Sequence, residues 1–416
     1  MGEMSTPNGL DERDADEFTI KDAVIENMRP FRVIVVGAGF SGILAAIRIP
    51  ERLRNVELVV YEKNERVGGV WWLNKYPGAA CDVPSHSYQY TNVRVTNLAT
   101  GEVIEDSANV LITARGMLND MSWPDIPGLS RFQGKLMHSA DWDTSYDCPN
   151  KRIGIIGNGS SAIQIIPKLQ KVEVTPEQRQ RLATDAAALF KHRKAFETSN
   201  NPVHDSTIRG TAMQRAWQAA PGFAVLGRGG VSLAERWARR AETYLSAAVD
   251  GFRNLLMVLG PNSAVGVGSL SRMLEAEVDY AVAVVRKLQR EDYAAAERRP
   301  ERVRDFMQYV DVYFRDTVYV GGCRTWYRRG DKVVGLWPGS TLHAVETLRA
   351  ARWEDGLYEP VDDAGRRNGL RWLGNGRSIT QVDGDPSWYI NPDEVQVPPE
   401  GRPEENARFK ARPWCY

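Results

Sequence analysis

Histidine and cysteine are scarce in this chain, with five His and four Cys among 416 residues. The cysteines, Cys81, Cys148, Cys323 and Cys415, are scattered. No two have the spacing of a metal-binding pair, so the pattern fits reduced thiols in a cytosolic protein and no metal site is expected. An excess of one charge is also missing. Lys+Arg and Asp+Glu both number 53, so no net field favours nucleic acid or an anionic membrane. Long apolar runs are absent: the longest, Val33 to Ile49, is broken by glycines, and no transmembrane segment is expected. The amino-terminal MGEMSTPNGLDERDADEF is polar and acidic, without the apolar stretch of a secretory leader, which points to a cytoplasmic protein. What remains is 43% hydrophobic and 25% charged residues, the mixture of a soluble globular protein with two or three domains.

The chain opens with an arm over residues 1–30 that ends at Pro30 and is expected to be flexible. Residues 31–72 then read as strand, glycine turn, helix and strand (FRVIVVG, AGFSG, ILAAIRIPERL, VELVVYEKN). Continuous Val/Ile runs separated by a helix predict a parallel sheet covered on both faces. Residues 92–116 predict a small hairpin around Thr100-Gly101, followed by ANVLITARG. A second strand–glycine–helix unit is predicted from Lys151, with RIGIIG and NGSSAIQIIPKL. Helical spacing places Leu270, Met273, Leu274, Val278, Ala281, Val282, Val285 and Leu288 on one face, and Val303, Phe306, Met307, Val310 and Phe314 on another. The expected class is α/β, with two Rossmann-like dinucleotide-binding units, the second incomplete, and a helical C-terminal part.

Gly37-Ala38-Gly39-Phe40-Ser41-Gly42 follows a strand and opens a helix, the context a dinucleotide fingerprint requires. Gly37 allows the tight turn, Gly39 lets the backbone approach a pyrophosphate, and Gly42 lets helix and sheet pack closely. The phosphates would sit on N–H groups at a helix N-terminus. Glu62 ends the next strand, where a carboxylate can bind ribose hydroxyls. The segment from Val67-Gly68-Gly69-Val70-Trp71-Trp72-Leu73 to Tyr76-Pro77-Gly78-Ala79-Ala80-Cys81-Asp82-Val83 crowds glycines, aromatics and one Asp into a short loop. Such a loop suits a flat ring system, but by composition alone an aromatic-rich core loop is the favoured reading.

This stretch resembles the flavin-contacting loop of class B flavoprotein monooxygenases, notably the Baeyer–Villiger subgroup. Phe132-Gln133-Gly134-Lys135-Leu136-Met137-His138-Ser139-Ala140-Asp141-Trp142-Asp143 fits that subgroup's fingerprint. Gly157-Asn158-Gly159-Ser160-Ser161-Ala162 is similar to its second nucleotide motif, with Ala in the last place. Val258-Leu259-Gly260-Pro261-Asn262-Ser263, Cys323-Arg324-Thr325-Trp326-Tyr327 and Leu336-Trp337-Pro338-Gly339-Ser340 look like segments of fungal members that act on polyketide- or terpenoid-type ketones.

The resemblance implies FAD and NADPH as cofactors, with a small-molecule ketone and dioxygen as reactants. One oxygen atom would enter the ketone to give an ester or lactone, in secondary-metabolite biosynthesis. It implies that Gly37, Gly39, Phe40, Ser41, Gly42 and Glu62 hold FAD, together with Val70, Trp71, Trp72, Leu73, Val83 and Tyr88. It implies that Ala80, Cys81 and Asp82 also face the nicotinamide nucleotide, whose pyrophosphate Asn158, Gly159, Ser160, Ser161, Ala162, Ile163 and Gln164 would hold. Asp82 would orient a catalytic Arg. Phe132, Gly134, His138, Trp142 and Asp143 would form a linker that couples domain motion to NADPH binding.

The implied layout is an FAD-binding part at 31–130, a linker at 131–150, an incomplete NADP-binding domain at 151–225, further FAD-domain and substrate-side segments at 226–350, and a tail at 351–416. Three departures accompany it. Tyr90-Thr91 runs almost directly into Asn92, where family members have a long helical and strand segment. Val172-Glu173-Val174-Thr175-Pro176 lacks the Arg that grips a 2′-phosphate. The segment around Arg209, Arg215 and Arg228 offers no match to the catalytic Arg. These leave two alternatives beside a full monooxygenase: a non-catalytic FAD-binding descendant, and an NAD(P)H–flavin oxidase that passes its electrons to dioxygen.

Overall fold

The computed structural model describes residues 19–25, 29–80, 106–116, 123, 127–148, 151, 153–156, 160–169, 224–266, 268–321, 325, 327–385 and 387. Strand β1 (Phe31–Val36) is an unbroken apolar run with Val33 and Val35 fully buried. It leads through the glycine turn into helix α1 (Phe40–Arg52) and returns as β2 (Val56–Tyr61), parallel to β1 with Phe31 opposite Val56 and Val36 opposite Tyr61. A single helical turn, α2 (Val70–Leu73), follows. Strand β3 (Val110–Thr113) lies parallel to β1 on its other side.

The ANVLITARG segment is therefore a central parallel strand. The hairpin expected before it lies at 92–105, outside the described residues. Helix α3 (Ser160–Leu169) and a turn α4 (Leu233–Arg236), capped by Ser232, precede β4 (Leu255–Met257). Strand β4 pairs parallel with β3, completing a four-stranded sheet of order β2-β1-β3-β4.

Helix α5 (Leu270–Arg290) carries the expected face: Met273, Leu274, Val278, Ala281, Val282, Val285 and Leu288 are buried, and Leu270 is half-buried. Burial extends further round, to Ala276, Glu277, Tyr280 and Val284. Beyond β5 (Tyr293–Arg298), helix α6 (Pro300–Phe314) buries the five residues its periodicity picks out. The ribbon β6 (Arg328–Arg329) and β7 (Lys332–Val333), helix α7 (Thr341–Arg349) and strand β8 (Gly356–Pro360), which pairs with β5, complete this part. Two short helices, α8 (Asp363–Arg367) and α9 (Ile379–Asp383), lie toward the end.

The second unit keeps its helix, α3, but the strand expected before it is not formed over 153–156. Ile153, Ile155 and Ile156 are 44%, 40% and 61% exposed. A strand is held by ladder hydrogen bonds to a neighbour, and no described residue pairs with this segment. The α/β class is borne out; of the second unit, the described residues show the helix and no paired strand.

The chain divides into a larger unit, residues 30–288 and 293–359, and a smaller one, residues 1–29, 289–292 and 360–416. Within the smaller unit, residues 19–25 are tied down. Ile25 N–H donates to the Arg377 carbonyl at 3.0 Å, Asn375 N–H to that of Ala23 at 2.8 Å, and Lys21 pairs with Asp292. The arm expected to be flexible is thus anchored over these residues; residues 1–18 lie outside the description. No helix among the described residues is long and apolar enough to cross a membrane.

Candidate functional site

All four strands of the sheet are parallel, so their C-terminal ends share one edge, where open α/β sheets bind ligands. Gly37 follows β1, Glu62 follows β2, Ala114 follows β3 and Val258 follows β4. Gly37 has φ +105°, and a Cβ there would lie 2.6 Å from the Ala114 carbonyl oxygen. A Cβ on Gly42 would sit 1.8 Å from the Gly37 oxygen. Both glycines are therefore demanded by contact, and Gly37 by its backbone conformation as well. Gly39 caps α1 by backbone alone, and the first turn holds no acidic residue. The positive end of the helix is left for an anion.

The Glu62 carboxylate reaches into this turn, accepting the Ala38 N–H at 2.6 Å and the Asn64 N–H at 3.0 Å. Ser41 is buried, and Phe40 is half-buried with its ring 6.4 Å from that of Trp71.

The loop with paired glycines lies against the turn. Gly68 N–H donates to the Ala38 carbonyl at 2.8 Å, and a Cβ on Gly69 (φ +56°) would lie 2.9 Å from the Gly39 Cα. In α2, Val70 and Trp71 are exposed, Leu73 is half-buried, and the Trp72 ring has the Arg66 guanidinium and the Lys75 ammonium each 4.7 Å from its centroid. The chain then turns through buried Tyr76 to Ala80, where it meets α3. Tyr76 Oη donates to Gln164 Oε1 at 2.9 Å, and Gln164 Nε2 donates to the Ala80 carbonyl at 2.9 Å. Of the other α3 residues, Ser161 is half-buried, Ala162 buried and Ile163 exposed. Ser160 begins the helix. Cys81, Asp82, Val83, Tyr88, Asn158 and Gly159 lie outside the described residues.

The Phe132–Asp143 segment closes on itself. Phe132 is exposed, and a Cβ on Gly134 would lie 2.7 Å from its ring. His138 Nδ1 accepts the Ala140 N–H at 3.1 Å, and its ring meets Trp123 edge-on at 5.7 Å. Burial lowers the imidazole pKa, partly opposed by Asp141, which favours the neutral ring. Trp142 is half-buried. The Asp143 carboxylate is held down to about 2 by Lys135, whose ammonium lies at 2.6 Å, and by the hydroxyl and N–H of Ser145.

Sequence reasoning did not foresee two features of this edge. The first is how the loop after β4, the Val258–Ser263 segment already picked out in the sequence, is held in place. Val258 N–H donates to the Thr113 carbonyl at 2.9 Å, after which Leu259 (φ +58°) and Asn262 (φ +65°) adopt a left-handed backbone uncommon outside glycine. Asn262 fastens this loop by donating from Nδ2 to the Val333 and Leu336 carbonyls, both at 3.1 Å. The second is Glu277 on α5, fully buried, which accepts the Leu259 N–H at 2.8 Å. Burial pushes its carboxyl well above the usual range, against that hydrogen bond. A carboxylate on a helix reads as solvent-facing, and the only hint in the sequence was the apolar residues around it. Arg228, a candidate cation, has its guanidinium engaged by Glu297 at 2.7 Å; Arg209 and Arg215 lie outside the described residues.

Turn, helix end and acid together fit a dinucleotide, so the class they define is a Rossmann-type nucleotide-binding α/β protein. A family model described as an NAD(P)-binding Rossmann-like domain matches residues 35–99. The particular likeness is to flavoprotein monooxygenases. The FAD-binding monooxygenase moxY of Dothistroma septosporum is 25% identical over 542 aligned positions, covering 87% of this chain and 87% of that protein. The Baeyer-Villiger monooxygenase of Pseudomonas aeruginosa is 24% identical, covering 75% of this chain and 88% of its own. Among solved structures, steroid monooxygenase bound to NADP superposes with a TM-score of 0.57 at 20% identity, and cyclohexanone monooxygenase from Rhodococcus sp. Phi1 bound to NADP⁺ with 0.59 at 18%. Each covers 80% of this chain and 100% of its own. At these identities the structural likeness is one of fold. The resemblance read from the sequence is borne out. The alignment with moxY is also longer than the 416 residues of the chain, so more than a hundred of its positions face no residue here.

Proposed function

We propose that the chain binds FAD at the C-terminal edge of its sheet and NADPH at the start of α3, and inserts one oxygen atom from dioxygen into a ketone of secondary metabolism. The observation that carries this reading is the interlocked glycine turn, in which Gly37, Gly42 and Gly69 leave no room for a Cβ. Beside it stand a helix end without a carboxylate and Glu62 within reach. FAD, when bound, supplies the electron transfer between NADPH and dioxygen.

The chain's residues bind and orient. The N–H groups after Gly37 and the dipole of α1 hold the pyrophosphate. Glu62 exchanges its bond to the Ala38 N–H for ribose hydroxyls. The Gly68–Leu73 loop backs the ring, and exposed Trp71 gives apolar cover that keeps water away. The loop after β4, fastened through Asn262, would add to the site from the same edge of the sheet. In this reading residues 31–130 and 226–350 make one FAD-binding unit, supported by β4 closing the sheet of β1.

A second reading is favoured by the positions missing from the alignment and by the unpaired 153–156 segment: an oxidase that reduces dioxygen without inserting it. The experiment is to load purified protein with FAD, desalt it and record its visible spectrum. NADPH consumed, hydrogen peroxide formed and ester or lactone formed are then measured on cyclic and polyketide-like ketones. Product in step with NADPH supports the monooxygenase, peroxide in step with NADPH supports the oxidase, and colourless desalted protein refutes both.

A further inference from the structure

We propose that Gln164 is a positioning residue whose side-chain amide locks the Tyr76–Ala80 loop to α3, so that a nicotinamide nucleotide at the start of α3 fixes the segment beyond the flavin-facing turn. This rests on the function proposed above.

The geometry is specific to an amide. Gln164 Oε1 accepts from Tyr76 Oη at 2.9 Å and from the Ala80 N–H at 3.3 Å, while Nε2 donates to the Ala80 carbonyl at 2.9 Å. One side chain thus satisfies both backbone groups of Ala80, much as a neighbouring strand would. Only Asn and Gln carry a neutral donor and acceptor side by side, and Asn is one methylene shorter. The loop comes close enough to need this. Gly78 has φ +83°, and a Cβ there would lie 2.7 Å from the Gln164 carbonyl oxygen and 2.8 Å from Lys168 Cγ. Tyr76 is 8% exposed, and its hydroxyl finds its partner in Gln164.

Gln164 sits one turn into α3, which begins at Ser160, and a helix moves as a rigid rod over that distance. Tyr76 is three residues past the end of α2. A shift at the start of α3 therefore reaches the chain beside Trp71 and Trp72 through one side chain.

The test compares wild type with Q164A, Q164E and Y76F. Hydrogen exchange of the Ala79–Ala80 amides, measured without cofactors, should quicken about tenfold in Q164A, the equivalent of about 1.4 kcal/mol of local opening. Q164A should still take up FAD, because it touches no group of the glycine turn. Its flavin absorbance change on adding NADP⁺ should shrink, with an apparent Kd about tenfold higher, again about 1.4 kcal/mol. Q164E keeps the acceptors but sets a carboxylate against the Ala80 carbonyl, so it should behave like Q164A. Y76F, losing one hydrogen bond, should fall between. Wild-type exchange and a wild-type NADP⁺ response in Q164A overturn the latch alone. A wild-type protein that binds FAD yet shows no response to NADP⁺ overturns the NADPH reading, and the latch with it.

Discussion

Replacing Glu277 by Gln should abolish a pH dependence of stability that begins just above pH 4.5, the ordinary value for this carboxyl. Glu277 is fully buried and takes a single hydrogen bond, from Leu259, while its Oε1 has no partner among the described residues. Burial favours the neutral acid, so the folded protein keeps a proton that the unfolded chain has already released. Between the unfolded and folded pKa values the folded state holds one proton more, and stability falls with rising pH by about 1.4 kcal/mol per unit. Gln keeps the oxygen that accepts from Leu259 and cannot titrate. Urea melts of both proteins from pH 5 to 8 should therefore diverge, with E277Q increasingly the more stable. Asp143, Asp311, Asp355 and Asp362 have lowered pKa values, so their contributions are lost only below the ordinary carboxylate range, outside this window. They also cancel in the comparison. E277L should instead cost about 1–3 kcal/mol at pH 5, because it leaves the Leu259 N–H without an acceptor. Parallel stability curves for wild type and E277Q across the whole range would refute the reasoning.

Gly42→Ala should abolish FAD uptake, since its Cβ would fall 1.8 Å from the Gly37 oxygen; a desalted variant that kept the flavin spectrum would contradict the site. Met273→Ala, at a fully buried position in the middle of the core, should lower unfolding free energy by about 2–5 kcal/mol in urea melts. Lys135→Ala should raise the Asp143 pKa from about 2 toward its ordinary 3.8, followed by carboxyl NMR titration, with Ser145 keeping part of the depression.

The sequence made legible whatever is decided locally. The glycine spacing predicted the turn because a missing Cβ is a property of single residues, and the structure places backbone where those side chains would be. The faces of α5 and α6 were legible because helical burial repeats every three to four residues. Partnership was not legible. The apolar ANVLITARG segment carries no mark that distinguishes hairpin neighbour from central parallel strand, and its partners begin at Val33 and Leu255. The RIGIIG segment has the composition of a strand but finds no mate among the described residues, and composition without a mate makes no ladder. Gln164 was read as a nucleotide contact, and its pairing with Ala80 could not be read from either residue. Glu277 was hidden because it interrupts an otherwise apolar surface that covers more of the helix than one stripe.

The sheet takes its first three strands from residues 31–113 and its fourth from residues 255–257. During synthesis the first three can assemble long before the fourth exists, so the last strand joins as a late clasp across a very long excursion of chain. Closing so wide a loop is slow, because distant contacts must wait for the chain ends to meet. Its entropic cost, however, is insensitive to length: halving the excursion changes it by only about 0.6 kcal/mol. Evolution can therefore shorten the excursion without disturbing the register of Leu111 with Leu255. A chain with far fewer residues between these strands could keep the same pairing and the same glycine turn.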